Sequence, residues 1–180
     1  MRVVIRDTDS DKIGSASQII RIPNIKKQEF SVSGLVLEDF TVARWQSLRQ
    51  GKSSENNIST NEAETFSTLL YDTTLRKFAK NTIMQYGLEI YNAKLDKSKK
   101  PQLQTQAKIL YQGKPIIEGK LNNINPDAQP DLQNIKVSGA IALKNELPAG
   151  EYILQLTVTD LLDKKTEIQW IDFEIIEEKK

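Results

Sequence analysis

Protein chemistry needs groups that carry protons, electrons or metal ions, and here the set is short. The chain has no histidine and no cysteine. That removes Ser-His and Cys-His nucleophilic sites, zinc sites built on imidazole or thiolate, disulfides and redox motifs. Carboxylates remain. Asp7-Thr8-Asp9-Ser10-Asp11 places acids at alternate positions, as calcium loops do. A helix-loop-helix calcium loop needs glycine at its sixth position and a carboxylate at its twelfth. This chain has Lys12 and Gln18 there, so the run reads as an acidic hairpin turn. Asp39, Asp72, Asp160 and Asp172 are of the right type for paired-carboxylate glycoside hydrolysis. No spacing singles out a pair, and the expectation is surface charge in turns. No catalytic, metal-binding or cofactor-binding residue is assigned, no cofactor is expected, and the chain reads as a non-enzyme.

Two further clusters invite a binding role. Lys94, Lys97, Lys99 and Lys100 surround Asp96 and end at Pro101. A nucleic-acid surface would need aromatic or further basic support. The expectation is a solvated loop that also guards an edge strand against pairing. Trp45 and Trp170 are of the type that stacks on sugars. Trp170 alternates against Ile171 and Phe173 and sits beside Asp172 and Glu174, so it faces outward, into a domain contact or over a sheet edge. Trp45, near Ala43 and Leu48, is expected to pin a loop to the body.

The elements that position these residues are strands. Apolar residues recur with period two, the spacing that lines one face of a strand. Tyr152, Leu154, Leu156 and Val158 share a face, as do Ile135, Val137, Gly139, Ile141 and Leu143. Met84, Tyr86, Leu88 and Ile90 form another row, and Leu103, Thr105, Ala107, Ile109 and Tyr111 a fourth. Phe30, Val32, Gly34 and Val36 form a fifth, and Ile171, Phe173 and Ile175 the last. Gln112-Gly113-Lys114-Pro115 reads as a tight turn into a short strand near residues 116–121. Asn125-Pro126-Asp127, Gln129-Pro130-Asp131 and Leu147-Pro148-Ala149-Gly150 mark the other breaks. Many short strands separated by turn residues predict an all-β, immunoglobulin-like antiparallel sandwich over about residues 25–176. A long exposed loop is expected at about 38–72, with a short helix near 61–70 inside it, where Phe66, Leu69 and Leu70 share a face.

Residues 1–22 match residues 154–175 without a gap. Val3 and Ile5 align with Leu156 and Val158, Asp7 with Asp160, Lys12 with Lys165, and Ile20 and Ile22 with Phe173 and Ile175. Both read as a hairpin whose first strand ends in Asp. An isolated hairpin is marginal in water. Residues 1–24 are therefore expected to be an extra N-terminal hairpin that in origin closes an upstream sandwich module; the alternative is that it joins the one sheet present.

The chain also carries family-level blocks. These are Arg2-Val3-Val4-Ile5-Arg6-Asp7, Ile13-Gly14-Ser15-Ala16-Ser17-Gln18, Ile22-Pro23 and Phe30 to Leu37. Further on come Leu75-Arg76-Lys77-Phe78, Tyr86 to Ala93, Leu147 to Tyr152 and Gln169 to Glu174. Together they resemble the C-terminal region of the von Willebrand factor A-related proteins of acidobacterial type. The resemblance implies a large exported bacterial protein with an A-type domain upstream and β-sandwich modules at its C-terminus. The A domain is not in this chain. There is no Asp-x-Ser-x-Ser run, so its metal site does not carry over.

Composition bounds the partners. With 180 residues the chain suits one core, and 25 basic residues against 24 acidic ones favour neither nucleic acid nor an anionic membrane. No segment reads as a signal peptide or a membrane span. The resulting expectation is a non-catalytic interaction or spacer module of an envelope or secreted protein. It would be extracytoplasmic as part of a longer precursor, with another protein or neighbouring domains as partner. The alternative is a carbohydrate-binding or carboxylate-based carbohydrate-active module.

Overall fold

The computed structural model describes residues 2–10, 12–17, 29–49, 75–129 and 131–177. The alternating rows fold as strands: β1 Arg2–Arg6, β2 Ile13–Ser17, β3 Ser31–Val32, β4 Val36–Thr41, β5 Lys77–Ala79 and β6 Thr82–Tyr91. Then follow β7 Leu103–Tyr111, β8 Lys114–Glu118, β9 Asn122–Asn123, β10 Asn134–Leu143, β11 Gly150–Asp160 and β12 Lys165–Ile176. Among the described residues one α-helix, α1 Val42–Arg49, and a short 3-10 turn, Pro126–Ala128, interrupt them.

Two sheets stack. One has order β10-β6-β3, with β4 also pairing β6. The other has order β5-β12-β11-β7-β8, with β9 also pairing β7. Their inner faces share one core in two lobes. Leu88, Ile90 and Ile135 meet Leu103, Leu156 and Val158 in one lobe. Met84 and Leu143 meet Ile109, Tyr152, Leu154 and Phe173 in the other. Leu35, Tyr86 and Ala107 pack against both. Burial of these rows supplies the stabilisation, at roughly 25 cal/mol per Å² of apolar surface removed from water.

The wiring is that of an immunoglobulin-like sandwich. β6 pairs β10 in one sheet, while β7, β11 and β12 lie side by side in the other. Tyr152, at the start of β11, donates its hydroxyl to the Pro148 carbonyl at 2.6 Å. This is the corner tyrosine of such folds: the ring is buried and the hydroxyl clamps the incoming turn. Among the described strands β5 is the exception to antiparallel pairing, because it runs parallel to β12. The Gln112-Gly113 turn joins β7 to β8 with both residues at positive φ, 50° and 75°. Two residues at positive φ make the primed turn whose twist matches a hairpin.

Three sequence expectations change. Phe30 and Val32 are buried as expected, but Val36 points to solvent and Leu37 inward. The cause is a bulge. Val32 pairs Ile90 and Val36 pairs Gly87, so residues 33–35 stand opposite only Leu88 and Glu89. Ser33 anchors it, its amide donating to the Glu89 carbonyl and its hydroxyl accepting from the Glu89 amide. One extra residue flips every later side chain to the other face. The long loop expected from residue 38 begins instead as β4 and α1. Thr41 starts the helix by accepting the Arg44 amide on its hydroxyl, a capping role. Residues 50–72, including the helix expected at 61–70, lie outside the described residues. The strand expected near 116–121 sits at 114–118 and breaks at Gly119, after which β9 resumes pairing with β7.

β1 and β2 form a separate two-stranded antiparallel sheet. The turn matches the internal repeat closely. Asp7 and Lys12, like Asp160 and Lys165, are five positions apart and close the hairpin. Asp7 accepts the Asp9 amide and the Ser10 hydroxyl, while Asp160 accepts the amides of Leu162 and Asp163. The difference lies in burial. Ile5 is 69% exposed and its counterpart Val158 fully buried. Ile20 and Ile22 lie outside the described residues.

Candidate functional site

The outer face of the larger sheet is the candidate site. Because Leu154, Leu156 and Val158 point inward, Ile153, Gln155 and Thr157 must point outward from β11. On β12 the same logic turns Ile168, Trp170 and Asp172 out. Register places Gln155 opposite Trp170 and Ile153 opposite Asp172, with Lys108 and Leu110 next across on β7. Trp170 is 68% exposed.

Beside Trp170 the face is concave. A trough of about 690 Å³ is lined by Leu75, Arg76, Leu110, Gln112, Ile153 and Asp172, among others. The segment before β5 makes one wall, held by the Glu174 amide donating to the Arg76 carbonyl. The β7–β8 turn makes the other. Leu110 and Ile153 give it an apolar floor, while Arg76 and Asp172 form an ion pair at 2.9 Å. Glu151 and Glu174 are cross-strand partners in the same trough, and Lys77 neutralises Glu174 at 2.9 Å. The volume falls in the roughly 300–1,000 Å³ range of small-molecule sites. Farther along the face, Lys108 bonds Glu118 at 2.7 Å and holds that carboxyl below its ordinary value.

Comparison with known proteins finds no family model that matches the chain. No curated protein matches it either.

The acids considered for catalysis are dispersed. Asp160 is not the surface charge expected of it: it is fully buried, because its carboxylate accepts the amides of Lys94, Leu162 and Asp163. Asp172 stands opposite Ile153, seven positions from Asp160 along β11, about 23 Å at the strand rise. Glycosidase carboxyl pairs sit roughly 5–10 Å apart. Asp39 is half-buried on β4 in the other sheet, and Asp72 lies outside the described residues. The Asp7 run is a turn rather than a ligand cage. The Ser10 hydroxyl and Asp9 amide hold the Asp7 carboxyl below its usual range, and Asp11 lies outside the described residues. Among the described residues no group of three acids gathers for a metal.

The basic cluster is a folded loop. Asp96 accepts the amides of Ser98 and Lys100, while Lys94 and Lys100 pair with Asp163 and Asp127. A second hollow of about 370 Å³, involving Phe30, Lys94 and Asp163, lies beside that loop. Trp45 is half-buried, its ring 5.8 Å from Phe40, so it ties helix α1 to β4 rather than a loop to the body. Sequence reasoning found Trp170 and Asp172 but missed Arg76, Glu151 and Gln112. No sequence pattern links residue 76 to 172; the parallel β5–β12 pairing makes them neighbours. No helix among the described residues is long and apolar enough to cross a membrane.

Proposed function

We propose that this chain is a non-catalytic recognition module that meets its partner with the outer face of the larger sheet. The exposed indole of Trp170 carries the reading. With Ile168 two residues before it on the same face, also exposed, Trp170 makes an apolar patch left in water, and such patches mark contact sites. The adjoining trough gives that surface shape. The separation of Asp160 from Asp172 argues against that pair as a glycosidase couple.

On the same reading the chain belongs with the C-terminal sandwich modules of the von Willebrand factor A-related proteins of acidobacterial type. It works outside the cytoplasm within a longer polypeptide. The described hairpin of β1 and β2 packs on a neighbouring module. The β1–β2 hairpin, turned like β11–β12 yet with Val3, Val4 and Ile5 in solvent, supports a neighbouring sandwich as the body it packs on.

The test is capture by two probe sets, a phage-displayed dodecapeptide library and immobilised oligosaccharides. Each is applied to the whole chain and to Trp170→Ala. Capture by the whole chain that Trp170→Ala loses, at an unchanged urea midpoint, is the expected result. Capture indifferent to Trp170, or turnover of glycoside or ester substrates by the whole chain, overturns the reading.

A further inference from the structure

We infer that the trough beside Trp170 binds a neutral saccharide chain, with the indole as a stacking platform and the Arg76–Asp172 pair as the hydroxyl clamp. This rests on the outer face being the recognition surface and names its ligand class.

Three observations converge. Trp170 is two residues from Asp172 on the same side of β12, so its Cα stands about 7 Å along the strand from that of Asp172, which lines the trough. The face of an indole is electron-rich, and the axial C–H groups of a pyranose are its complement. The trough itself mixes the two surfaces a sugar presents. Leu110 and Ile153 offer an apolar strip for the ring carbons. Arg76, Gln112, Glu151 and Asp172 offer planar donors and acceptors for hydroxyls. The Arg76–Asp172 pair is already formed at 2.9 Å, so it meets the ligand with little ordering cost.

Charge decides between ligand classes. The trough holds Glu151, Asp172 and Glu174 against Arg76 and the flanking Lys77. Acid exceeds base, which disfavours uronate-rich or sulfated chains and phosphate. The same density of charge disfavours an apolar protein patch, since the centres of protein interfaces are depleted of charged residues. A neutral chain rich in hydroxyls satisfies the ion pair and the indole together.

Affinity electrophoresis of the whole chain tests this, in gels cast with hydroxyethylcellulose, xyloglucan, laminarin, galactomannan or polygalacturonate. At least one neutral polymer is expected to retard the chain and polygalacturonate none. Trp170→Ala and Asp172→Ala are each expected to weaken retardation roughly tenfold or more, the scale of losing an aromatic platform or a charged clamp. Trp45→Phe, which leaves the face intact, is expected to retain it. Migration unchanged by every neutral polymer, retardation by polygalacturonate alone, or retardation that survives Trp170→Ala would sink the saccharide assignment. Peptide-phage capture that needs Trp170, without any retardation by sugar, would also sink it while leaving the recognition face standing. Failure of both probe sets to depend on Trp170 removes the face as well.

Discussion

The carboxylate of Asp160 accepts the backbone amide of Lys94 at 2.7 Å, joining positions 66 residues apart. The same side chain accepts the Leu162 and Asp163 amides, so one buried acid fixes the β11–β12 turn and docks the loop after β6. Asp160→Ala leaves these amides without their acceptor. An expected loss of about 3 kcal/mol follows. Urea denaturation with an unchanged slope checks it. Asp160→Asn, which keeps an acceptor oxygen, is expected to lose less.

Gly139 lies opposite Tyr86 in the β6–β10 register, and the tyrosine ring covers it. A Cβ at that position collides with the Tyr86 hydroxyl end of the ring. Gly139→Val forces the ring from its half-buried seat, with an expected cost of about 1–3 kcal/mol. Burial also raises the Tyr86 hydroxyl above its ordinary pKa. In Gly139→Val the displaced phenol is expected to titrate closer to normal, read by absorbance against a Tyr86→Phe control.

Asp163 bonds Lys165 at 2.8 Å and Lys94 at 3.3 Å. The Lys165 hydrogen bond, followed by that of Lys94, lowers its pKa, and Asp163 in turn raises that of Lys165. The signs fix the pH window. The lowered carboxyl contributes stability above the ordinary aspartate range and loses it as pH falls through its folded value. The raised ammonium contributes below the ordinary lysine range and loses it as pH rises through its folded value. Carbon-detected NMR of Asp163 is expected to show a depressed titration that moves upward in both Lys165→Ala and Lys94→Ala. A midpoint unmoved by either substitution contradicts the pairing.

Among the described residues the β1–β2 hairpin shares no sheet with the sandwich and places no side chain in its core lobes. Removing residues 1–17 is expected to shift sandwich stability by no more than about 0.5 kcal/mol. Val158→Asp is the contrast. It buries an unpaired charge where Val158 is fully enclosed, and the chain is expected not to fold. Circular dichroism melts of both variants decide the point.

Period-two alternation on β6, β7, β10, β11 and β12 was enough to name the sandwich, because a half-buried strand must put every second side chain in the core. The same rule predicted Asp160 and Lys165 at a hairpin turn, and the repeat with Asp7 and Lys12. Where backbone geometry broke the period, the sequence was silent. The extra residue at Ser33–Leu35 turns Val36 outward and Leu37 inward, and only the pairing with β6 shows it. Likewise Arg76 meets Asp172 across 96 positions because β5 lies parallel to β12. Local composition fixes which residues are oily or charged and how strands alternate. Contacts between distant segments depend on how sheets stack and which edges pair, so the trough beside Trp170 exists only in the folded chain.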